Sequence, residues 1–154
     1  VAAVAGAGRA IPTLGLLTLL GLFIGIGLLA PSIALVVLAI PPLLAGAYAG
    51  VASVDPLVVK SARAMGMTPW QQISQVELPL AWPLILGGLR SACVQVIATA
   101  TLAAYTADAG LGRFIFAGLK TRDYPQMVGG AIVVVLLALL VELAFSIVPT
   151  RRAS

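Results

Sequence analysis

The stretch DPLVVKSARAMGMTPWQQISQVELPLAWP, from Asp55 to Pro83, is a long polar interruption between apolar segments. Asp55-Pro56 predicts a helix N-cap followed by proline at the first helical position, where the missing N–H costs nothing. Gly66 is placed to end this short helix in the left-handed conformation. The first half of the stretch therefore predicts a capped helix that stops at a glycine turn.

A second helix is predicted directly after the turn. Thr68 and Gln71 have the spacing of a capping box, and Pro69 again takes the first helical position. Leu78-Pro79 is expected to end this helix. Most connections between secondary-structure elements are short. A well-capped connection over residues 51–81 therefore predicts a docking surface.

The segments around this loop are apolar enough to cross a membrane. The 154-residue chain is 61% hydrophobic and 9% charged, with a mean hydropathy of +1.13, whereas soluble domains are about 25% charged. Each crossing needs roughly 20 apolar residues. Ala30-Pro31 is expected to form the turn between the first two crossings. Four spans are predicted, at about residues 11–29, 32–50, 83–105 and 127–148.

The charges predict an orientation and exclude several functions. The net charge is +4, and the basic residues flank the spans instead of clustering, so we expect a membrane and not nucleic acid. The positive-inside rule places the 51–81 loop in the cytoplasm. The chain has no His and one cysteine, Cys93. The usual metal sites and the Ser-His and Cys-His nucleophiles are thereby excluded. We expect no metal, no cofactor and no enzymatic activity in this chain.

The N-terminal residues VAAVAGAG precede Arg9 and lack the basic flank of a signal peptide. We expect residues 1–154 to form a single transmembrane domain that has lost an earlier segment at its N-terminus.

The segment KSARAMGMTPWQQISQVELP, residues 60–79, resembles the cytoplasmic loop of ABC importer permeases. Lys60, Ser61 and Ala62 take the first three positions of that pattern, and Gly66 takes its glycine position. The apolar-x-Leu-Pro ending is completed by Leu78-Pro79. Lys60 and Ser61 depart from the pattern, which usually has an acidic residue and alanine there.

The resemblance implies an all-α integral membrane fold, the MetI-like helix bundle of type I ABC importers, located in the bacterial inner (plasma) membrane. It implies three kinds of protein partner: a cytoplasmic ABC ATPase dimer, a second permease subunit that is identical or paralogous, and an extracytoplasmic substrate-binding protein. ATP hydrolysis would belong to the ATPase subunit. The residues that would couple to it are Lys60, Ser61, Ala62, Arg63, Gly66, Met67, Thr68, Trp70, Leu78 and Pro79.

Residues 63–90 together with residues 94–119 look like permeases of the osmoprotectant class. Such importers carry glycine betaine, carnitine, choline or proline-like solutes. Alternatives are an importer of the same type for another small solute, such as an amino acid, and a passive channel. A channel would require rings of pore-lining charge and no capped loop.

Few residues suit a cationic solute, which favours aromatic faces and fixed negative charge. Tyr48, Tyr105, Asp108 and Phe114 are candidates near the outer side of the membrane. The two tyrosines fit equally with an interfacial aromatic belt.

Polar residues also occur inside the spans. Gln95, Thr99 and Thr101 are expected to hydrogen-bond across helices. Glu142 lies in an apolar run and is either functional or bonded to Arg90 or Arg151.

Overall fold

The structure, a computed structural model, describes residues 12–147. Within this range the chain forms helices and connecting turns, and no strand occurs. A five-residue π-helical turn, Ile73–Glu77, lies between α4 and α5. The α-helices are α1 Thr13–Ile24, α2 Leu29–Ala52, α3 Pro56–Ala64, α4 Pro69–Gln72, α5 Leu78–Ala107, α6 Gly112–Thr121 and α7 Tyr124–Ile147.

Three helices are long and apolar enough to cross a membrane. They are α2, the continuous helical run Pro69–Ala107 of 39 residues, and α7. Helix α1 is apolar but has 12 residues, which extend only about 18 Å at 1.5 Å per residue. The hydrocarbon core is about 30 Å thick. Helix α1 alone is therefore shorter than the membrane core. The first predicted crossing, residues 11–29, stays a prediction, because its first residue, Ile11, lies outside the described range.

The break between α1 and α2 is not at Ala30-Pro31, as the sequence predicted. It falls at residues 25–28, where Gly25 and Gly27 have φ values of 98° and 152°. Ala30 and Pro31 are the second and third residues of α2. The first four N–H groups of a helix have no partner within it, so a proline there loses no hydrogen bond. Pro31 thus accompanies a helix start.

Helices α2 and α5 pack antiparallel through glycines. A Cβ atom at Gly46 would lie 2.5 Å from the Gly88 Cα, and one at Gly50 would lie 2.8 Å from the Ala81 carbonyl oxygen. Backbones can approach this closely only where side chains are absent. The buried apolar residues are correspondingly small, mostly alanines, with Leu17 and Leu38 as the largest fully buried side chains.

Leu78-Pro79 does not end a helix, in contrast to the prediction. The helical run continues from Pro69 through the π turn into α5. In that turn the Leu78 N–H bonds to the Ile73 carbonyl, one residue farther back than in an α-helix. Pro79 directly follows this turn, whose wider hydrogen-bonding pattern accommodates a residue without an N–H.

The antiparallel packing gives the bundle two distinct ends. The loop of α3, α4 and the π turn connects the end of α2 to the start of α5. At the opposite end, α6 connects α5 to α7 and packs on both. Most side chains of α7 are exposed, and Gly130 is its buried residue. Lipid or another protein must therefore cover α7.

Candidate functional site: the capped loop and the intramembrane ion pair

The first half of the loop has the predicted caps. The Asp55 carboxylate accepts a hydrogen bond of 2.8 Å from the Leu57 N–H, and Pro56 opens α3. At the other end Gly66 has a φ of 85°. The Met67 N–H bonds to the Ala62 carbonyl and the Gly66 N–H to the Arg63 carbonyl. These two bonds form a Schellman motif, which confirms the predicted glycine turn.

The second half also begins as predicted. The Thr68 N–H donates to the Gln71 side-chain oxygen at 2.8 Å, while the Gln71 N–H donates to the Thr68 hydroxyl. This reciprocal pair is a capping box, and Pro69 takes the first turn of α4. The loop is therefore held at each helix start by side-chain bonds.

Gln72 joins the two halves and was missed by the sequence analysis. Its side chain is only 5% exposed, and its amide donates a hydrogen bond of 2.7 Å to the Met67 carbonyl. A buried polar group must be paired, so this bond fixes the glycine turn against the second helix. The polar run WQQ gave no signal to separate this inward glutamine from its exposed neighbour Gln71.

The outer surface of the loop carries the features of a docking site. Met65 and Trp70 flank the glycine turn, and each is 75% exposed. Lys60 and Arg63 are exposed and one helical turn apart on α3. Large exposed apolar groups beside positive charge are typical of a surface that another protein covers.

The remaining predicted loop residues divide between surface and interior. Ala62 is buried and Met67 half-buried, so these two pack inside the loop. The Ser61 hydroxyl bonds to the Leu57 carbonyl of its own helix. Leu78 and Pro79 are exposed at the start of α5. They lie 12 or more residues after Gly66 in the sequence.

The structure separates the predicted solute-path residues. Tyr105 packs on Phe116 with ring centroids 5.7 Å apart, and Asp108 ends α5 in the left-handed region with a φ of 47°. Tyr48 lies between Gly46 and Gly50, which pack near the start of α5. At 1.5 Å per residue, Tyr48 is roughly 30 Å from Tyr105 along the bundle. Tyr48 therefore lies toward the loop end of the bundle, and not near the outer side together with Tyr105, where it was predicted.

Phe114, the other aromatic candidate, is already partnered. The Arg113 guanidinium lies over its ring, 4.8 Å from the centroid. This ring face is thus engaged in a cation–π contact within the chain. A role of Tyr105 and Asp108 in the solute path stays a prediction.

Glu142 bonds to Arg90, which was one of its two predicted partners. The Arg90 Nε donates to Glu142 Oε2 at 2.8 Å, and a second guanidinium nitrogen donates to Oε1. The pair joins α5 to α7 and is half-exposed, at 42% for Arg90 and 40% for Glu142. Arg151, the alternative partner, lies outside the described residues.

The expected hydrogen bonds of Gln95, Thr99 and Thr101 across helices are not found within residues 12–147. Thr101 instead donates to the Ala98 carbonyl of its own helix at 2.7 Å. A threonine on a helix can satisfy its hydroxyl in this way without a neighbour. Within residues 12–147 the side-chain hydrogen bonds that join two membrane helices are therefore those of the Arg90–Glu142 ion pair.

These features define an all-helical integral membrane protein with the fold of a MetI-like importer permease. Two solved structures, of the MetNI methionine ABC transporter in inward facing conformations, share it with TM-scores of 0.79 and 0.80. Their sequence identities are 23% and 24%, and each match covers 94% of this chain and 70% of the other.

The chain belongs to the family of binding-protein-dependent transport system inner membrane components, whose model matches residues 3–153. It is thus a bacterial inner-membrane protein that crosses the membrane more than once.

Several relatives have named solutes. The carnitine transport permease protein OpuCB of Listeria monocytogenes is 44% identical over 88% of this chain. The glycine betaine/carnitine/choline transport system permease protein OpuCB of Bacillus subtilis is 35% identical over 90%. The osmoprotectant import permease protein OsmY of Salmonella typhimurium is 37% identical over 88%. The chain spans 62%, 64% and 57% of the lengths of these relatives.

Proposed function

We propose that this chain is the pore-forming part of a permease subunit in an ATP-driven importer of osmoprotectants, such as glycine betaine, carnitine, choline or proline. The observation that carries the proposal is the capped loop with its exposed Met65 and Trp70, in a chain whose relatives are named for carnitine, glycine betaine and choline.

The construction of the loop supports the proposed mechanism. Because its caps, the Schellman motif and the Gln72 bond hold it as a unit, a push on its outer surface moves it as one body. The loop continues into α5 without a break in the helix. A cytoplasmic ATPase dimer that binds Trp70 and Met65 would therefore displace α5 when it closes. The pore would then open alternately to the two sides of the membrane.

The family match supports a proposal for the remaining partners. A second permease subunit, identical or paralogous, would cover part of the exposed surface of α5 and α7. An external binding protein would deliver the solute at the α6 end of the bundle. ATP hydrolysis is assigned to the ATPase subunit.

The test is solute uptake by proteoliposomes that contain the complete permease, its ATPase and its binding protein. We expect labelled glycine betaine to accumulate only when ATP is present on the ATPase side of the membrane and the binding protein is present on the other side. Flux down a gradient without ATP would instead indicate a passive channel.

An amino-acid importer of the same type is the second candidate. It is favoured by one observation, the fold shared with the MetNI methionine transporter. Competition distinguishes the two: an excess of unlabelled methionine should leave glycine betaine uptake unchanged if the osmoprotectant assignment is right.

A further inference from the structure

A shallow cavity surrounds the Arg90–Glu142 ion pair on the side of the bundle. Its volume is about 400 Å³. Arg90 lies in the first half of α5 and Glu142 near the end of α7. The cavity is therefore in the half of the bundle nearer the capped loop. Its lining residues are Arg90, Ser91, Val94, Gln95, Ala98 and Glu142.

Lipid is an unsuitable neighbour for this cavity. Both charged groups lie in helices long and apolar enough to span a membrane, and both are half-exposed. Charged side chains in membrane spans face the bundle interior or a water-filled cavity, because hydrocarbon cannot solvate them. Within residues 12–147 no side chain covers the outer face of this pair, so the cavity must open onto water or protein.

The cavity has unused hydrogen-bonding groups. The guanidinium has five N–H donors, of which Glu142 takes two. Neither the Ser91 hydroxyl nor the Gln95 amide makes a side-chain hydrogen bond to any residue of the range 12–147. Ser91 and Gln95 are four residues apart, so they lie on one face of α5. Val94 and Ala98 supply an apolar wall beside them.

We infer that this cavity is a binding site for a zwitterionic solute on the translocation path. The solute carboxylate accepts hydrogen bonds from the free N–H groups of Arg90 and from the Gln95 amide. The cationic end of the solute lies near the Glu142 carboxylate, and its methyl groups contact Val94 and Ala98. The inference rests on the proposed function and names the step at which the pore contacts its cargo.

The charge balance favours a zwitterion over an ion. The pair has no net charge and presents opposite charges side by side. A solute with both charges can place each of them beside the opposite charge of the pair, whereas a simple cation or anion is attracted by one member of the pair and repelled by the other. Arginine also suits a planar carboxylate, which it can bind through two N–H groups.

The test uses cysteine accessibility in the complete transporter. Cys93 is the only cysteine of residues 1–154. With Cys93→Ser, and with cysteines elsewhere in the transporter also replaced, Ala98→Cys reports on the apolar wall of the cavity and leaves its proposed polar ligands, Arg90, Gln95 and Glu142, in place. The control is Leu140→Cys, an exposed apolar position on α7 that does not line the cavity. A charged, water-soluble methanethiosulfonate reagent should modify position 98 and not position 140.

Solutes then distinguish a binding site from a mere aqueous path. Glycine betaine should slow modification at position 98, and choline, which lacks a carboxylate, should need at least tenfold more to do so. Glu142→Gln, which keeps the side chain's size, should abolish protection by glycine betaine while modification continues. Absent modification, absent protection, or equal protection by choline would each overturn the inference.

Uptake in the Cys93→Ser background separates this inference from the proposed function. ATP-driven uptake without protection at position 98 would refute the binding site and leave the importer intact. If the complete transporter neither takes up nor binds an osmoprotectant, the proposed function fails and the binding site fails with it.

Discussion

Gly66 is required for its backbone conformation and not for space. A Cβ added there would meet nothing within 4 Å, yet its φ is 85°. An L-residue in the left-handed region costs about 1–2 kcal/mol, and asparagine tolerates it better than others. The hydrogen bonds of the Schellman motif depend on this conformation.

Gly66→Val should therefore disturb the turn while leaving membrane insertion unchanged. We expect fewer solute molecules imported per ATP hydrolysed in proteoliposomes, with Gly66→Asn close to the unmodified protein. Normal transport by the valine variant would mean that the shape of this turn does not matter for coupling.

Gln72 offers a second test at the residue scale. Gln72→Ala leaves the Met67 carbonyl without its 2.7 Å donor, at a cost of about 1–3 kcal/mol for an unpaired buried group. We expect faster trypsin cleavage after Lys60 and Arg63 in inverted membrane vesicles. The matched control is Gln75→Ala, whose exposed side chain should change nothing; equal cleavage of both variants would exclude the structural role of Gln72.

The local loop contacts were predictable, whereas the distant ones were not. Asp55, Gly66 and the Thr68–Gln71 pair act within a few residues, so their spacing alone predicts their hydrogen bonds. The partner of Glu142 depends on the packing of α7 on α5. Sequence spacing therefore left both Arg90 and Arg151 open as partners of Glu142.

At the scale of helices, the α2–α5 contact gives a sharp prediction. A Cβ at Gly88 would lie 2.8 Å from the Gly46 Cα and 2.9 Å from the Pro42 carbonyl oxygen. Overpacking of this kind costs about 1–3 kcal/mol. Gly88→Ala should thus lower the thermal unfolding temperature of the purified protein in detergent.

Gly87→Ala is the matched control on the same helix. Nothing lies within 4 Å of its added Cβ, and alanine favours helix over glycine by about 1 kcal/mol. We expect an unchanged or slightly higher unfolding temperature. Equal destabilisation by the two variants would contradict the close helix contact at Gly88.

Prolines caused the two errors in helix boundaries. Pro31 and Pro79 were predicted at a turn and at a helix end. Pro31 instead lies in the first turn of α2, and Pro79 lies inside a continuous helical run, directly after the π turn. A proline in the sequence shows that one backbone N–H is missing. It does not show whether a helix precedes the proline or follows it. In the case of Pro79 the decisive feature is the preceding π turn, whose wider hydrogen-bonding pattern has no simple sequence signal.

At the scale of the whole molecule, composition predicted the helical membrane fold because lipid demands internally satisfied backbone groups. It did not predict which helix faces meet a partner, since lipid-facing and protein-facing apolar surfaces have the same composition. The large exposed surface of α7 illustrates this: the sequence fits a lipid contact and a subunit contact equally.

Site-specific photo-crosslinking tests most directly whether the ATPase binds the capped loop. A photoreactive amino acid would replace Trp70 at the loop or, as the control, Leu119, an exposed apolar residue of α6 at the opposite end. In the complete transporter, position 70 should crosslink to the ATPase subunit and position 119 should not. Crosslinking to the ATPase from position 119, or none from position 70, would contradict the account.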